Sequence, residues 1–318
     1  MNRRRALACV GSVLLAGCLS ESTSGGSDPA ASNATNGTTT TTTTEQPNTS
    51  TGTPASPTLE IPAENHCPSF GDSRVVCSVD ADDGTTLQMV PSKTRVDLPK
   101  ATVSFTLRNE TGATFTTNYY GWSVSKRVDG EWFHIAPQIV PEPAMMLESG
   151  DSHTWTLTID NTDLDAASAR SQGTDDIALV GLGGGTYAFG IDGWFQKGGY
   201  ENAIGVAARF ELNGDDLELA PTADLEVVGR NGDEKRVRQG DGGETFVATR
   251  IDESEAEDPR RVLPEEAVRL PALRNLLASF ESGVEMVRLD TEQTGPFSTD
   301  MGVIEYEGET YRITPVDV

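Results

Sequence analysis

Through most of the span from Cys67 to Leu212, apolar side chains fall on every second residue. Val103, Phe105 and Leu107 alternate with Thr102, Ser104, Thr106 and Arg108. Trp155, Leu157 and Ile159 alternate with Thr154, Thr156 and Thr158. Tyr187, Phe189 and Ile191 keep the same spacing, as do Ile204, Val206, Ala208 and Phe210. A period of two places all the apolar groups of a strand on one face, and it is incompatible with a helix, whose period is 3.6. Half-buried antiparallel strands are the expected outcome. Asp129-Gly130 separates Val124–Val128 from Trp132–Ile135 and predicts a tight hairpin. Only Asp163–Ser171 reads as a helical turn or loop. Short strands punctuated by turns predict a mainly β chain, with a β-sandwich over residues 65–215.

The pattern changes after residue 222. Leu225–Val228 and Glu244–Ile251 read as strands, and Asp252–Asp258 as an acidic loop. Arg236 and Arg238, set among Asp233, Glu234 and Asp241, read as a solvated strand or turn. Leu263-Pro264-Glu265-Glu266 opens a helix, with proline at its first position and acids in its first turn. Pro271 divides that helix. Leu273, Leu276, Leu277 and Phe280 share a face beyond it, and Gly283 suits a C-cap. Val284–Leu289 and Gly302–Val316 complete a small α+β domain over residues 222–318. The expectation is a helix on a four- or five-stranded antiparallel sheet, with the last hairpin turning at Glu307-Gly308. Each piece is long enough for a core of its own.

Ahead of these pieces the composition is different. Residues 20–58 are Thr, Ser, Gly, Asn and Pro with almost no apolar side chain, and Thr38–Thr44 is unbroken threonine. Such a segment cannot bury enough surface to offset the entropy of ordering it, so a disordered stalk is expected over residues 18–60. The N-terminus reads Met1-Asn2-Arg3-Arg4-Arg5, then an apolar stretch from Ala6 to Ala16, too short to span a bilayer. Leu15-Ala16-Gly17-Cys18 follows, and hydrophobicity collapses after it. The run resembles the lipobox of lipoproteins, and the arginines resemble a twin-arginine export signal. That resemblance implies a signal peptide at residues 1–17, a lipid on the Cys18 thiol, and a membrane partner reached through that lipid. Asn33, Asn36, Asn48 and Asn109 each begin an N-x-[ST] acceptor for N-glycosylation.

Acidic residues number 49 against 24 basic ones, for a formal net charge of −25. Removing residues 1–17 takes away three arginines and no acid, leaving the mature chain near −28. Lysine is scarce: Lys93, Lys100, Lys126, Lys197 and Lys235 are all there are. Abundant acid with little lysine resembles proteins of salt-loving archaea. A chain without a basic patch has nothing to neutralise phosphates, which argues against a nucleic-acid partner.

Of the four cysteines, Cys9 leaves with the signal and Cys18 carries lipid. Cys67 and Cys77 remain, an even pair in an exported chain, and a disulfide between them is expected. A zinc site is the rival, but Cys-x9-Cys is not a zinc spacing and His66 is the only histidine nearby.

The stretch from Ala101 through Arg108-Asn109-Glu110-Thr111 belongs with Lys126-Arg-Val-Asp-Gly-Glu-Trp132, Leu147-Glu-Ser-Gly150 and Gly185-Thr-Tyr187. Together they resemble a bacterial-type immunoglobulin-like domain over about 110 residues. That resemblance implies an adhesion or binding module and names no ligand.

Motifs for chemistry are sparse. Phe70-Gly71-Asp72-Ser73 is similar to the Gly-Asp-Ser block of a lipase and esterase family, yet no histidine follows His153 to act as base. Gly181-Leu-Gly-Gly-Gly185 lacks the Lys-Ser/Thr of a phosphate loop and reads as a flexible connection. His66, His134 and His153 show no metal-ligand spacing, and His134 reads as a half-buried strand residue. Glu253, Glu255, Glu257 and Asp258 lack the EF-hand order and read as a solvated loop. Tyr119, Tyr120, Trp122 and Trp194 either fill the core and its rim or line a ligand patch. No metal, cofactor or catalytic set is called for. The expectation is a non-enzymatic lipoprotein on the extracellular face of the membrane, acting as a binding or adhesion module for an extracellular or envelope partner. The alternatives are an accessory or sensor subunit of an envelope complex, or a hydrolase whose dispersed carboxylates carry no motif.

Overall fold

The computed structural model describes residues 57, 59 and 61, and residues 66–168, 170–195, 199–292 and 302–316. All of them belong to one compact unit, Thr53–Val318. Its first part holds β1 (Arg74–Cys77), β2 (Leu87–Pro91), β3 (Arg95–Asp97), β4 (Lys100–Asn109), β5 (Phe115–Thr117) and β6 (Ser123–Val128). These are followed by β7 (Glu131–Ala136), β8 (Met145–Leu147), β9 (Ser152–Asp160), β10 (Asp176–Leu179), β11 (Gly185–Phe195) and β12 (Ile204–Asn213). One sheet runs β10-β9-β4-β2. The other is eight-stranded and centred on the long β11–β12 pair, with β6–β7 and β5–β8 branching from β11, and β1 and β3 joining β12 in parallel.

The alternation explains how these sheets meet. Val103, Phe105 and Leu107 on β4 and Trp155, Leu157 and Ile159 on β9 are fully buried against Tyr187, Phe189, Val206 and Phe210. The Phe105 ring stacks on Phe189 at 4.4 Å and meets Phe210 edge-on at 5.3 Å, so rings from the two sheets interdigitate. The predicted hairpin joins β6 to β7, with Asp129 at φ 53° and Gly130 at φ 92°. The expected helical turn is a single 3-10 turn, Leu164–Ala166, capped by the Asp163 side chain. Leu59 lies within the span read as stalk, yet it packs in this core, with Ile61 against it.

The second part holds β13 (Leu225–Asn231), β14 (Glu234–Gln239), β15 (Glu244–Ile251), β16 (Arg260–Arg261), α1 (Pro264–Ala267), α2 (Pro271–Leu277), β17 (Met286–Thr291), β18 (Val303–Tyr306) and β19 (Glu309–Val316). Pro271 divides the helical stretch as its fixed φ requires. Ala272, Leu273, Leu276 and Leu277 pack on Val237, Phe246, Ala248, Val287 and Leu289 of the sheet.

Two details differ from the sequence reading. The sheet has seven strands, in the order β13-β14-β17-β15-β19-β18-β16, and it is mixed, because β14 pairs with β17 in parallel and β16 with β18 in parallel. Arg236 and Arg238, read as a solvated strand or turn, lie in β14, whose one apolar residue, Val237, shows no alternation that would settle between the two, and β16 is two arginines with no apolar pattern at all. The helix also stops at Leu277, short of Gly283. That glycine sits at φ 76° in the turn before β17, where its carbonyl accepts from Arg230 Nη2 at 2.7 Å.

Candidate functional site

Cys67 and Cys77 are bonded, with their Cα atoms 5.6 Å apart. The closed loop folds over the outer face of β11–β12, where the sequence supplies small residues. A Cβ on Gly190 or Gly205 would overlap the Phe70 ring, so these two glycines form the seat in which Phe70 lies. Cys67, Val75, Cys77 and Ala207 complete a small apolar cluster around it. Ser73 N–H donates to the Phe70 carbonyl at 3.0 Å and closes the Gly-Asp-Ser turn.

Beside this seat is a cleft of about 590 Å³ lined by Phe70, Gly71, Asp72, Ser73, Asp192, Tyr200, Glu201 and Ala203. Asp192 lies on β11 directly opposite Gly205, which offers no side chain to pair with it. Burial pushes the Asp192 carboxyl above the usual carboxylate range, offset only in part by its own backbone N–H. Tyr200 stands at the rim, 71% exposed, with Trp194 meeting its ring edge-on at 5.5 Å. A second cleft, about 770 Å³, lies among Leu59, Ile61, Arg74, Val76 and the Asp80–Leu87 stretch.

The Gly181–Gly185 run has a different role from the flexible connection expected of it. Its backbone receives α1. Glu265 Oε1 accepts from Lys126 Nζ at 2.6 Å, from Gly183 N–H at 3.1 Å and from Tyr187 Oη at 3.2 Å. The Glu265 side chain is 1% exposed and that of Lys126 10%. A Cβ on Gly183 would fall 2.8 Å from Glu265 Oε1, so only glycine lets the carboxylate come so close to the backbone. Arg269, also buried, donates to the carbonyls of Val180, Gly181 and Glu265. Burial lowers its guanidinium to about 10, against the raising influence of Tyr187 and Glu265. Burial, then Glu265, pushes the Tyr187 phenol well above its ordinary value.

Arg274 holds the connection between the parts in the same manner. It donates to Ala220 O, Pro221 O and Leu164 O and pairs with Asp165 at 2.9 Å. Leu263 packs in the sandwich core while Val262 and Ala267 pack in the helix–sheet core, so one short segment serves both.

The remaining sequence-predicted residues are dispersed. Cys18, Asn33, Asn36 and Asn48 lie outside the described residues, as do residues 1–17 and nearly all of the stalk. Asn109 is fully buried. Its Nδ2 donates to Ala113 O at 2.8 Å and Leu147 O at 2.9 Å, and its Oδ1 accepts from Thr111 Oγ1 at 2.6 Å.

The four aromatics form no common patch. Trp122 is a core residue stacked on Phe189, its Nε1 buried without a partner among the described residues. Tyr119 stacks on His153 at 3.8 Å, and burial followed by the Asp151 charge raises its phenol. Trp194 belongs with Tyr200. His134 is exposed on β7, its Nε2 2.8 Å from Pro137 O, rather than half-buried. His66 pairs with Asp80 at 2.7 Å. Glu253–Glu255 form a 3-10 turn. Among the described residues, no three His, Cys, Asp or Glu side chains are grouped so as to hold a metal ion.

Sequence reasoning missed the Lys126–Glu265–Arg269 lock, although a signal was present. Lys126 is one of five lysines and sits in register with Val124 and Val128, where an apolar side chain is due. No protein-family model matches the chain, and no curated protein matches it.

Proposed function

We propose that this chain is an exported lipoprotein, held on the extracellular face of the membrane through Cys18, and that it acts there as a non-catalytic binding module. The observation that carries this reading is the run Arg3-Arg4-Arg5, apolar stretch, Leu15-Ala16-Gly17-Cys18, polar stalk. A diacylated cysteine buries two acyl chains at about 0.8 kcal/mol per methylene, enough for stable anchorage. The disulfide between Cys67 and Cys77 is in keeping with an oxidising compartment. In this reading the β-sandwich is an immunoglobulin-like domain, and the helix–sheet part is a small α+β domain docked on it. The acid excess and scarce lysine support a salt-loving archaeal setting.

The test is a Cys18→Ser chain expressed in a haloarchaeal host. It is expected in the soluble extracellular fraction, with the parent chain in membranes washed with salt and carbonate. Retention of the Cys18→Ser chain in those washed membranes would overturn the anchor. Pull-down with the anchored chain in high salt then identifies the partner.

A further inference from the structure

The cleft between the disulfide loop and the Tyr200–Asn202 turn is a built feature. One wall, Phe70–Ser73, is tied by the Cys67–Cys77 bond and by the Phe70 ring in its seat of Gly190 and Gly205. The floor is a β11 residue, Asp192, whose backbone is held by Thr117 Oγ1 donating to its carbonyl at 2.5 Å. The other wall carries Tyr200, propped edge-on by Trp194.

The lining restricts what can enter. Asp72, Asp192 and Glu201 are acids and no basic side chain is among the described lining residues, so this lining disfavours phosphate, sulfate or carboxylate ligands. Acids alone say little in a chain with 49 of them. The aromatic says more, because Tyr200 is the one aromatic among the strongly exposed large apolar residues described. A half-buried carboxylate with no side-chain donor among the described residues and a strongly exposed ring together call for an occupant that brings hydroxyl donors and a flat apolar face.

We infer that this cleft binds a neutral saccharide unit, its ring stacked on Tyr200 and its hydroxyls donating to Asp192, with Asp72, Glu201 and the Ser73 hydroxyl at the margins. The assignment deepens the binding-module reading and rests on it. Ionised Asp192 gains donors on binding. Binding therefore lowers its raised pKa, and affinity rises as pH climbs through that pKa.

The experiment uses the full chain in 2 M KCl and saturation-transfer NMR. The probes are methyl glycosides of glucose, galactose, mannose and N-acetylglucosamine, with tetramethylammonium chloride as the cationic counterpart. At least one glycoside is expected to bind with a Kd of about 1–10 mM. Tyr200→Ala, at an exposed position, is expected to keep the fold and weaken that binding at least tenfold. Asp192→Asn is expected to weaken it and to remove its pH dependence. The inference is overturned if no glycoside binds, if Tyr200→Ala binds as the parent does, or if tetramethylammonium alone occupies the cleft. None of these results bears on whether Cys18 holds the chain to membranes, which the fractionation test reads separately.

Discussion

Asn109-Glu110-Thr111 spells a glycosylation acceptor, and the same spacing also lets Thr111 Oγ1 reach Asn109 Oδ1 in a turn. In the fold the second use occupies the residue. Both Nδ2 protons go to backbone carbonyls, so a sugar on that nitrogen would displace at least one bond and find no room at a fully buried site. Asn109→Ala is expected to strand the carbonyls of Ala113 and Leu147 and to cost about 2–3 kcal/mol by urea unfolding. The peptide carrying Asn109 is expected without glycan by mass mapping. Asp192 makes the opposite case. Its folded pKa is raised, so ionisation opposes folding, and its destabilising effect fades as pH falls below the folded pKa. Asp192→Asn is therefore expected to raise the unfolding midpoint at neutral pH, and the gain should vanish in acid. A variant that melts lower than the parent at pH 7 would mean that the carboxylate has a partner in the fold.

At the level of elements, the α1 turn and the Gly181–Gly185 run meet through charge rather than through area. Lys126 and Glu265 are nearly sealed from water, and two further donors reach the same carboxylate oxygen. Removing one partner leaves an uncompensated buried charge. Glu265→Gln and Lys126→Met are each expected to destabilise by about 3–5 kcal/mol in chemical unfolding. The double variant Lys126→Met/Glu265→Leu is expected to recover most of that loss, since the well-packed apolar pair avoids the desolvation penalty. Additive losses in the double variant would show that the two side chains act separately.

The same contact marks the limit of what sequence could reveal. Strands with apolar alternation, the β6–β7 hairpin, the proline-split helix and the disulfide were all legible, because each follows from local chemistry. The Phe70 seat and the Glu265 socket were not. Each joins glycines to a side chain far away in sequence, and a glycine in a chain carrying 32 of them gives no sign of what will lie against it. β16 was obscured because it is two arginines paired in parallel with a strand distant in sequence, and β14 stayed undecided between strand and turn because its side chains are mostly charged.

For the whole molecule, charge sets how stability depends on salt. The first 52 residues carry three acids and three arginines, so the entire net charge of −25 resides in residues 53–318, the unit that folds around both cores. The native state gathers that charge more tightly than the unfolded chain does, and the repulsion opposes folding in dilute buffer. Raising salt from 0.1 M to 1 M shortens the Debye length from about 10 Å to about 3 Å and removes most of this repulsion. Salt also screens favourable surface pairs such as Lys100–Asp160 and Arg236–Glu234, but pairs so exposed to water add little to stability. The Lys126–Glu265 pair is buried and is screened far less. Net repulsion therefore outweighs the lost pairs, and Tm is expected to climb steeply with KCl. The fragment to melt is Thr53–Val318 rather than one starting at Cys67, because Leu59 and Ile61 pack on the sandwich core. A Tm unchanged between 0.1 M and 3 M KCl would count against adaptation to high salt. A Tm that rises in the parent, and equally in Lys126→Met/Glu265→Leu, would place the salt effect on the surface charge and not on the buried lock.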